Sequence, residues 1–387
     1  MRILMIAPEP FFEPRGTPFS EYHRIRALLD LGHTVDLVTY PFGKDVALPG
    51  LRIFRAARPP FITRVRVGPS AAKLFLDMAL LISTLNVARR GQYDAVHSHE
   101  EGAAIGVLIS AWLAIPHVYD MHSSLPQQLE NFAFSRSRLL RRVFERLERL
   151  AIERSRVTIV ICPHLEETAR KVAPQARTVL IENAPGSGDA PVEGSGKRVR
   201  GSLGLHETIP VVLYTGTFEP YQGLELLFAA VPHVHRQRPD VRFVLVGGKP
   251  DQIARAESHA TAVGASGLIF TGEQPSEIIP SFLDAADVLV SPRRSGTNTP
   301  LKIYQYLRSG RAIVATRLLT HTQVLSDDVA ILTEPTPEDF ARGILHAIND
   351  AGAARRLGEA ARRLADTRYT YEAYLQRTRE ACAALVA

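Results

Sequence analysis

The chain is poor in the residues that build covalent or metal frameworks. Among 387 residues there are two cysteines, Cys162 and Cys382, too few for a disulfide scaffold, and no Cys/His spacing resembles a zinc site. A reducing compartment is expected. Long apolar runs are also lacking. The longest, KLFLDMALLISTLNVARR from Lys73 to Arg90, is broken by Asp77 and Asn86, short of the about 20 apolar residues a spanning helix needs. The N-terminal MRILMIAPEP is too short for a signal peptide and reads as a buried strand. These absences place the protein in the cytoplasm, at most peripheral on the inner membrane face.

Three loop motifs are missing as well. No Gly-x-Gly-x-x-Gly follows any strand candidate, which argues against a dinucleotide dehydrogenase. No Walker lysine loop is present, which argues against phosphate-loop hydrolysis. No Asp-x-Asp offers a divalent cation to a diphosphate. The sequence calls for no cofactor.

What is present is a balanced globular composition, 45% hydrophobic and 22% charged, with a net charge of +6. The basic excess favours an anionic partner, yet no nucleic-acid-binding motif accompanies it. Its densest run is SRSRLLRRVFERLER, residues 135–149, with Leu139, Leu140, Val143, Phe144 and Leu147 at helical spacing. Two readings stay open there: a solvated helix packed on a core, or a basic amphipathic helix resting on anionic lipid.

Short β-branched runs alternate with helical patterns along the whole chain. RILMIAP, TVDLVTY, AVHSH, HVYDMH and VTIVICP lie in the first half; VVLYTG, RFVLVGG, LIFTGE, VLVSP and AIVAT lie in the second. Such runs predict parallel strands buried on both faces. Residues 185–202, PGSGDAPVEGSGKRVRGS, read as a linker. The expected fold is therefore α/β, two doubly wound Rossmann-like domains facing across a cleft, residues 1–184 and 203–370. Helix 371–387 is expected to pack back on the first.

Ligands of doubly wound sheets bind beyond the carboxyl ends of the strands. Two such loops, EPRGTPFSEY and RRSGTNTPLKIY, combine glycine, Thr-Pro and a helix start. Thr17-Pro18 and Thr299-Pro300 each suit an N-cap followed by proline at the first helical position. Unpartnered amides and the helix dipole then favour an anion. Arg293, Arg294 and Lys302 add full charges near the second.

The second half resembles the nucleotide-sugar domain of retaining GT-B glycosyltransferases, specifically glycosyltransferase family four (glycosyl transferases group 1). The matching segments are LYTGTFEPYQGLELLFAAVP, VRFVLVGG, LIFTGEQPSEIIPSFLDAADVLVSP and NTPLKIYQYLRSGRAIVAT, in the family's order. The first half resembles it more loosely, through RALLDLGHTVDLVTY, YDAVHSHE and IPHVYDMHSS. The resemblance implies a metal-independent hexosyltransferase working on a UDP- or GDP-type sugar and a glycan or lipid-linked acceptor. Gly16 would approach the diphosphate, Gly272, Glu273 and Gln274 would face the base, and Asn298 and Thr299 would cradle the distal phosphate. His122 looks like the family's active-site histidine.

The family's usual cations after and before the glycines of GTF and YQG are here Thr217, following Gly216, and Gln222. Its carboxylate pair falls on Thr297 and Gln305. The expectation is that Lys302, with Arg293 or Arg294, supplies the missing charge. Glu9, Arg15, His99 and Glu100 are acceptor-side candidates. The alternatives are a non-catalytic nucleotide-sugar-binding subunit of a partner enzyme and a non-hydrolysing nucleotide-sugar epimerase.

Overall fold

The computed structural model describes residues 1–13, 16–63, 65, 71–127, 137–182 and 194–386. It divides into two compact units, Met1–Asn183 with Glu372–Ala387, and Ala184–Tyr371.

The first unit runs β1 (Arg2–Ala7), α1 (Gly16–Asp30), β2 (Thr34–Thr39), β3 (Leu51–Arg55), α2 (Ala71–Arg90), β4 (Ala95–His99) and α3 (Ala103–Leu113). It continues with β5 (His117–Met121), α4 (Arg138–Arg154), β6 (Val157–Val160), α5 (Pro163–Val172) and β7 (Thr178–Leu180). Among the described residues its sheet has the order β3-β2-β1-β4-β5-β6-β7, and every pair is parallel. Alternation along β1 sends side chains to opposite faces. Leu4 and Ile6 join Leu76 and Leu80 of α2 and Ile105 and Ile109 of α3. Ile3 and Met5 instead meet Ile25 and Leu28 of α1.

The second unit opens with α6 (Ser195–Ser202), then β8 (Val211–Thr215), α7 (Leu224–His235), β9 (Arg242–Val246), α8 (Pro250–Ala262), β10 (Leu268–Gly272) and α9 (Ile279–Ala285). There follow β11 (Val288–Ser291), α10 (Leu301–Ser309), β12 (Ala312–Thr316), α11 (Leu319–Thr322), β13 (Ile331–Thr333), α12 (Pro337–Asn349) and α13 (Ala351–Arg368). Its sheet order, β10-β9-β8-β11-β12-β13, repeats the 3-2-1-4-5-6 order of the doubly wound dinucleotide-binding fold. The order reverses beside β1 in the first unit and beside β8 in the second, so the loops after β1 and β4, and after β8 and β11, flank the two switch points. The last helix, α14 (Tyr371–Val386), belongs to the first unit, where Cys382 enters the core against α1.

Two sequence readings are corrected here. Residues 195–202 are not linker but helix. The Gly196 amide donates to Asp284 (2.7 Å), and the Arg200 guanidinium donates to Ala285 O (2.8 Å) and pairs with Asp287 (2.8 Å). Glycine and serine density hid a helix that tertiary partners hold in place. The apolar stripe of α4, if packed on the core, would bury Leu139, Val143 and Leu147. The helix instead buries Glu148, Ala151 and Ile152, leaving Leu139, Val143, Leu147 and Leu150 exposed.

Candidate functional site

The loops after β8 and β11 and the start of α10 form one cluster in the second unit. The chain leaves β8 at Gly216, whose φ is 136°. That φ calls for glycine, and a Cβ there would stand 3.2 Å from the Lys302 Nζ. Lys302, in the first turn of α10, is buried. Its Nζ lies 3.8 Å from the Tyr214 ring centroid and has no hydrogen-bond acceptor. Burial, and then the nearby Arg293 charge, push its pKa well below the usual lysine range.

Arg293 lies two residues beyond β11. Its guanidinium donates from Nη1 to Asn298 O (3.3 Å) and Thr320 Oγ1 (3.2 Å) and sits 5.3 Å from the Tyr221 ring centroid. Its Nε, like Thr299 Oγ1 and Gln222 Oε1, is buried without a partner. Buried polar groups are almost always satisfied. Two orphaned cationic donors and a hydroxyl in one loop cluster therefore suit an acceptor-rich ligand, an anion above all. Behind them His321 bridges Ser291 (2.8 Å) and Thr316 (3.1 Å). Burial lowers its pKa to about 3, so it serves as a neutral strut.

The other expected donor-side residues are distributed around this cluster. Gln222 reaches Thr217 at 3.5 Å. Thr297 O accepts from Gln323 (2.7 Å), and Asn298 O accepts from Thr320 (2.6 Å). Gln305 lies half-buried on α10, while Arg294 and Glu273 are exposed. Gln274 donates to Thr271 O (2.8 Å), and Gly272 O accepts from the Gly247 amide, both at β10, two strands from β8.

The capping reading needs correction at both loops. The N-cap of α10 is Pro300, extended at φ −65° and ψ 135°, with no side-chain cap. Thr299 precedes it, which is why its hydroxyl is orphaned. Helix α1 already begins at Gly16, so Thr17 and Pro18 lie inside its first turn. Arg15 lies outside the described residues.

In the first unit the carboxyl ends of β4 and β5 carry a buried polar group built around Asp120. The Arg24 Nε of α1 donates to Asp120 Oδ2 at 2.8 Å, and both side chains are essentially unexposed. His97 Nε2 lies 3.3 Å from Oδ2 and His122 Nε2 lies 3.3 Å from Oδ1. His99 stacks on His97 and meets His122 at 3.1 Å. Burial pushes Asp120 up, but Arg24 and then His122 outweigh it and hold the carboxylate well below the usual range. Burial pulls His122 down, yet Asp120 and then Glu100 more than compensate, and its pKa is raised. His97 and His99 are lowered by burial.

His97, His99 and Asp120 place one donor atom each within 4.8 Å of one another, a spacing compatible with a metal ion. The guanidinium of Arg24 already sits on Asp120 Oδ2, however, so the position is filled by a cation of the protein's own.

Carboxyls crowd the same edge. Glu100 has a left-handed backbone, φ 47°, accepts from Ser123 (2.7 Å), and is pushed by burial to about 8. Glu21 on α1 is fully buried with neither oxygen hydrogen-bonded. Burial, then Glu9 and Glu100, raise it well above the usual carboxyl range. Glu9 is half-buried in the loop after β1.

Two family models match the chain. The model for glycosyl transferases group 1 covers residues 209–350, and that for glycosyltransferase family 4 covers residues 22–184. The chain belongs to glycosyltransferase family four. Among relatives of this glycosyltransferase is the phosphatidyl-myo-inositol mannosyltransferase of Mycobacterium tuberculosis, 26% identical over 355 residues, 89% of this chain and 85% of the relative. The 2-deoxystreptamine N-acetyl-D-glucosaminyltransferase of Streptomyces fradiae is 30% identical over 259 residues, 63% of this chain and 60% of the relative.

The glycosyltransferase also superposes on a sucrose-phosphate synthase of Thermosynechococcus elongatus with a TM-score of 0.81 at 20% identity, covering 100% of this chain and 99% of the other. Anabaena HepE, solved with UDP and glucose, gives 0.77 at 18% identity, covering 98% and 99%. At such identities the likeness is one of fold, and the fold is GT-B.

Sequence reasoning missed Tyr214, Tyr221, Thr320 and His321 around the orphaned cations, and Arg24, Glu21 and Asp120 in the first unit. HVYDMH displayed Asp120. Nothing local pointed to Arg24 as its partner.

Proposed function

We propose that this glycosyltransferase moves a sugar from a nucleotide diphosphate sugar of UDP or GDP type to an acceptor hydroxyl, with retention at the anomeric carbon and without a metal. The reading rests on one observation: Lys302 Nζ, buried beside Gly216, lacks any acceptor. A diphosphate supplies one. Thr217 and Gln222 cannot neutralise it, whereas Lys302 and Arg293 can, from the β11–α10 side of the same switch point. Thr297, Asn298 and Thr299 contribute amides, Gln305 is placed to hydrogen-bond ribose hydroxyls, and Gly272 to Gln274 contact the base. HepE's solved complex with UDP and glucose favours that donor class.

A retaining transfer of this kind needs no protein nucleophile. As the anomeric bond loosens, the leaving diphosphate accepts the acceptor's proton, and the protein orients both partners and stabilises the charge. Lys302 and Arg293 carry that stabilisation. His122 is the proposed sugar contact of the first unit, with Gly16 on the diphosphate and Glu9, Arg15, His99 and Glu100 on the acceptor. The deciding measurement is a thermal-shift series with UDP, GDP, ADP and TDP. A ligand at a hundred times its Kd stabilises by about 2.7 kcal/mol. A shift with one base names the donor. No shift with any of them overturns the donor reading and leaves a non-catalytic subunit.

The acceptor is proposed to be lipid-linked or a surface glycan, reached from an anionic membrane face. No described helix is long and apolar enough to cross a membrane. Three neighbouring helices nevertheless expose apolar stripes: Phe75, Met78 and Ile82 on α2, Leu108 and Trp112 on α3, Leu139 and Leu147 on α4. Arg89 of α2 sits 5.9 Å from the Trp112 ring centroid, and arginines crowd α4. Apolar surface fringed by arginine suits an anionic lipid interface. The name of the phosphatidyl-myo-inositol mannosyltransferase relatives agrees with a lipid acceptor.

A further inference from the structure

The Asp120 cluster contains more order than a contact histidine needs. One carboxylate faces three histidines and one arginine, all buried. Oδ1 faces His122. Oδ2 faces His97 and Arg24. The arginine is fixed from its far side: Nη1 donates to Thr378 Oγ1 of α14 at 3.1 Å, and the guanidinium packs 4.9 Å from the centroid of Tyr374, also on α14. A line of contacts therefore runs from α14 through Arg24 and Asp120 to His122.

We propose that Asp120, held by Arg24, is the positioning residue for His122: it fixes the ring's orientation and stabilises its imidazolium, and α14 anchors the arginine. This rests on the reading of His122 as a sugar contact. The chemistry favours a charged ring. Asp120 Oδ1 lies 3.3 Å from His122 Nε2 without a hydrogen bond of its own, while Nε2 meets His99 Nδ1 at 3.1 Å, so the carboxylate acts on the ring through its charge. The opposite nitrogen then presents a charged donor, stronger than the neutral ring. Arg24 keeps Asp120 ionised, since an unpaired carboxylate at this depth would take up a proton. Within the first unit, the charged and titratable groups facing the pair are His97 and His99 on β4, Glu100 beyond it, Arg24 and Glu21 on α1, Tyr119 on β5 and Tyr374 on α14.

The test is Asp120→Asn, with Arg24→Lys and the double variant Arg24→Met/Asp120→Asn beside it. The double variant removes both members of the buried pair and so avoids a lone buried charge. With a donor identified by the thermal-shift series, the expected result is a fall in kcat of up to about 100-fold, the size of one lost charged donor, with donor KM little changed. The alkaline limb of the kcat–pH profile should move to lower pH, because His122 loses the charge that keeps it protonated. Arg24→Lys, which keeps the ion pair, should retain most of the wild-type rate and the position of that limb. NMR titration of the His122 ring in the ligand-free protein reads the same shift without turnover.

A folded Asp120→Asn or double variant with a wild-type His122 titration overturns the proposal. If the titration shifts while His122→Ala keeps full turnover, the sugar-contact reading fails and with it the catalytic part of the proposal.

Discussion

The ammonium of Lys302 rests 3.8 Å from the centroid of the Tyr214 ring, inside the second unit, with no oxygen to receive its protons. A π face is a poor substitute for water, and a second cation, Arg293, stands close enough to depress the lysine further. The fold thus holds two basic side chains where positive charge is disfavoured, a state that an incoming anion would relieve.

Replacing that lysine should separate stability from function. Lys302→Met keeps the bulk and removes the buried charge, so the ligand-free protein is expected to melt at the same temperature or higher. Nucleoside diphosphate binding should fall sharply, and turnover by about 100-fold or more, one oxyanion-type donor being worth roughly 3 kcal/mol. Thermal melts and initial rates decide it. Near-wild-type turnover would remove Lys302 from the mechanism.

Binding should also consume protons. Burial holds the pKa of Lys302 low in the ligand-free protein, and a diphosphate beside it raises the pKa again, so the lysine takes up a proton as the ligand enters. Calorimetry with the nucleoside diphosphate in buffers of different ionisation enthalpy, at mildly alkaline pH, should show net uptake in the wild type. The uptake should vanish in Lys302→Met.

The raised carboxyl of Glu100 makes a prediction about pH and stability. Its folded pKa, about 8, lies above the unfolded value of 4.5. Between these values the folded state binds the extra proton, so stability falls as pH rises, by about 1.4 kcal/mol per pH unit for this group. Glu100→Gln cannot ionise and should flatten that slope. Denaturant melts at pH 5 and pH 8 measure it; equal slopes in both proteins would show that Glu100 ionises normally.

For the membrane reading, the wild type is expected to float with vesicles containing acidic lipid and to stay behind with purely neutral ones. Leu139→Glu/Leu147→Glu should abolish flotation and leave the fold intact, since both side chains are exposed. Equal flotation of the variant would exclude α4 as the contact.

The central strands β4, β5, β6, β8, β11 and β12 are buried along their whole length, and they are legible in the sequence as short apolar or β-branched runs, β4 and β5 with histidines and an aspartate set into them. Strands β3, β7 and β13 are not. All three are sheet edges, where a strand pairs on one side, buries less and carries no continuous signal. In the loops after β8 and β11, residue type and spacing are enough to single out Lys302, Arg293 and Thr299. Their neighbours carry no such mark. Tyr214 sits in a strand whose pattern says only that it is buried. Asp120 meets Arg24 across 96 positions, and Arg24 meets Thr378 across 354. Local sequence does not encode such pairings; the topology creates them.

That last distance has a consequence for how the protein is made. Synthesis runs from the N-terminus, and early domains usually fold while later ones are still emerging. The sheet of the first unit can assemble early, but the helix that packs on α1 and accepts the Arg24 hydrogen bond follows the entire second unit along the chain. Until residues 371–386 arrive, Arg24 lacks its outer partner and the face that Cys382 closes stays open. The nascent first unit must wait, unsealed, through the whole synthesis of the second.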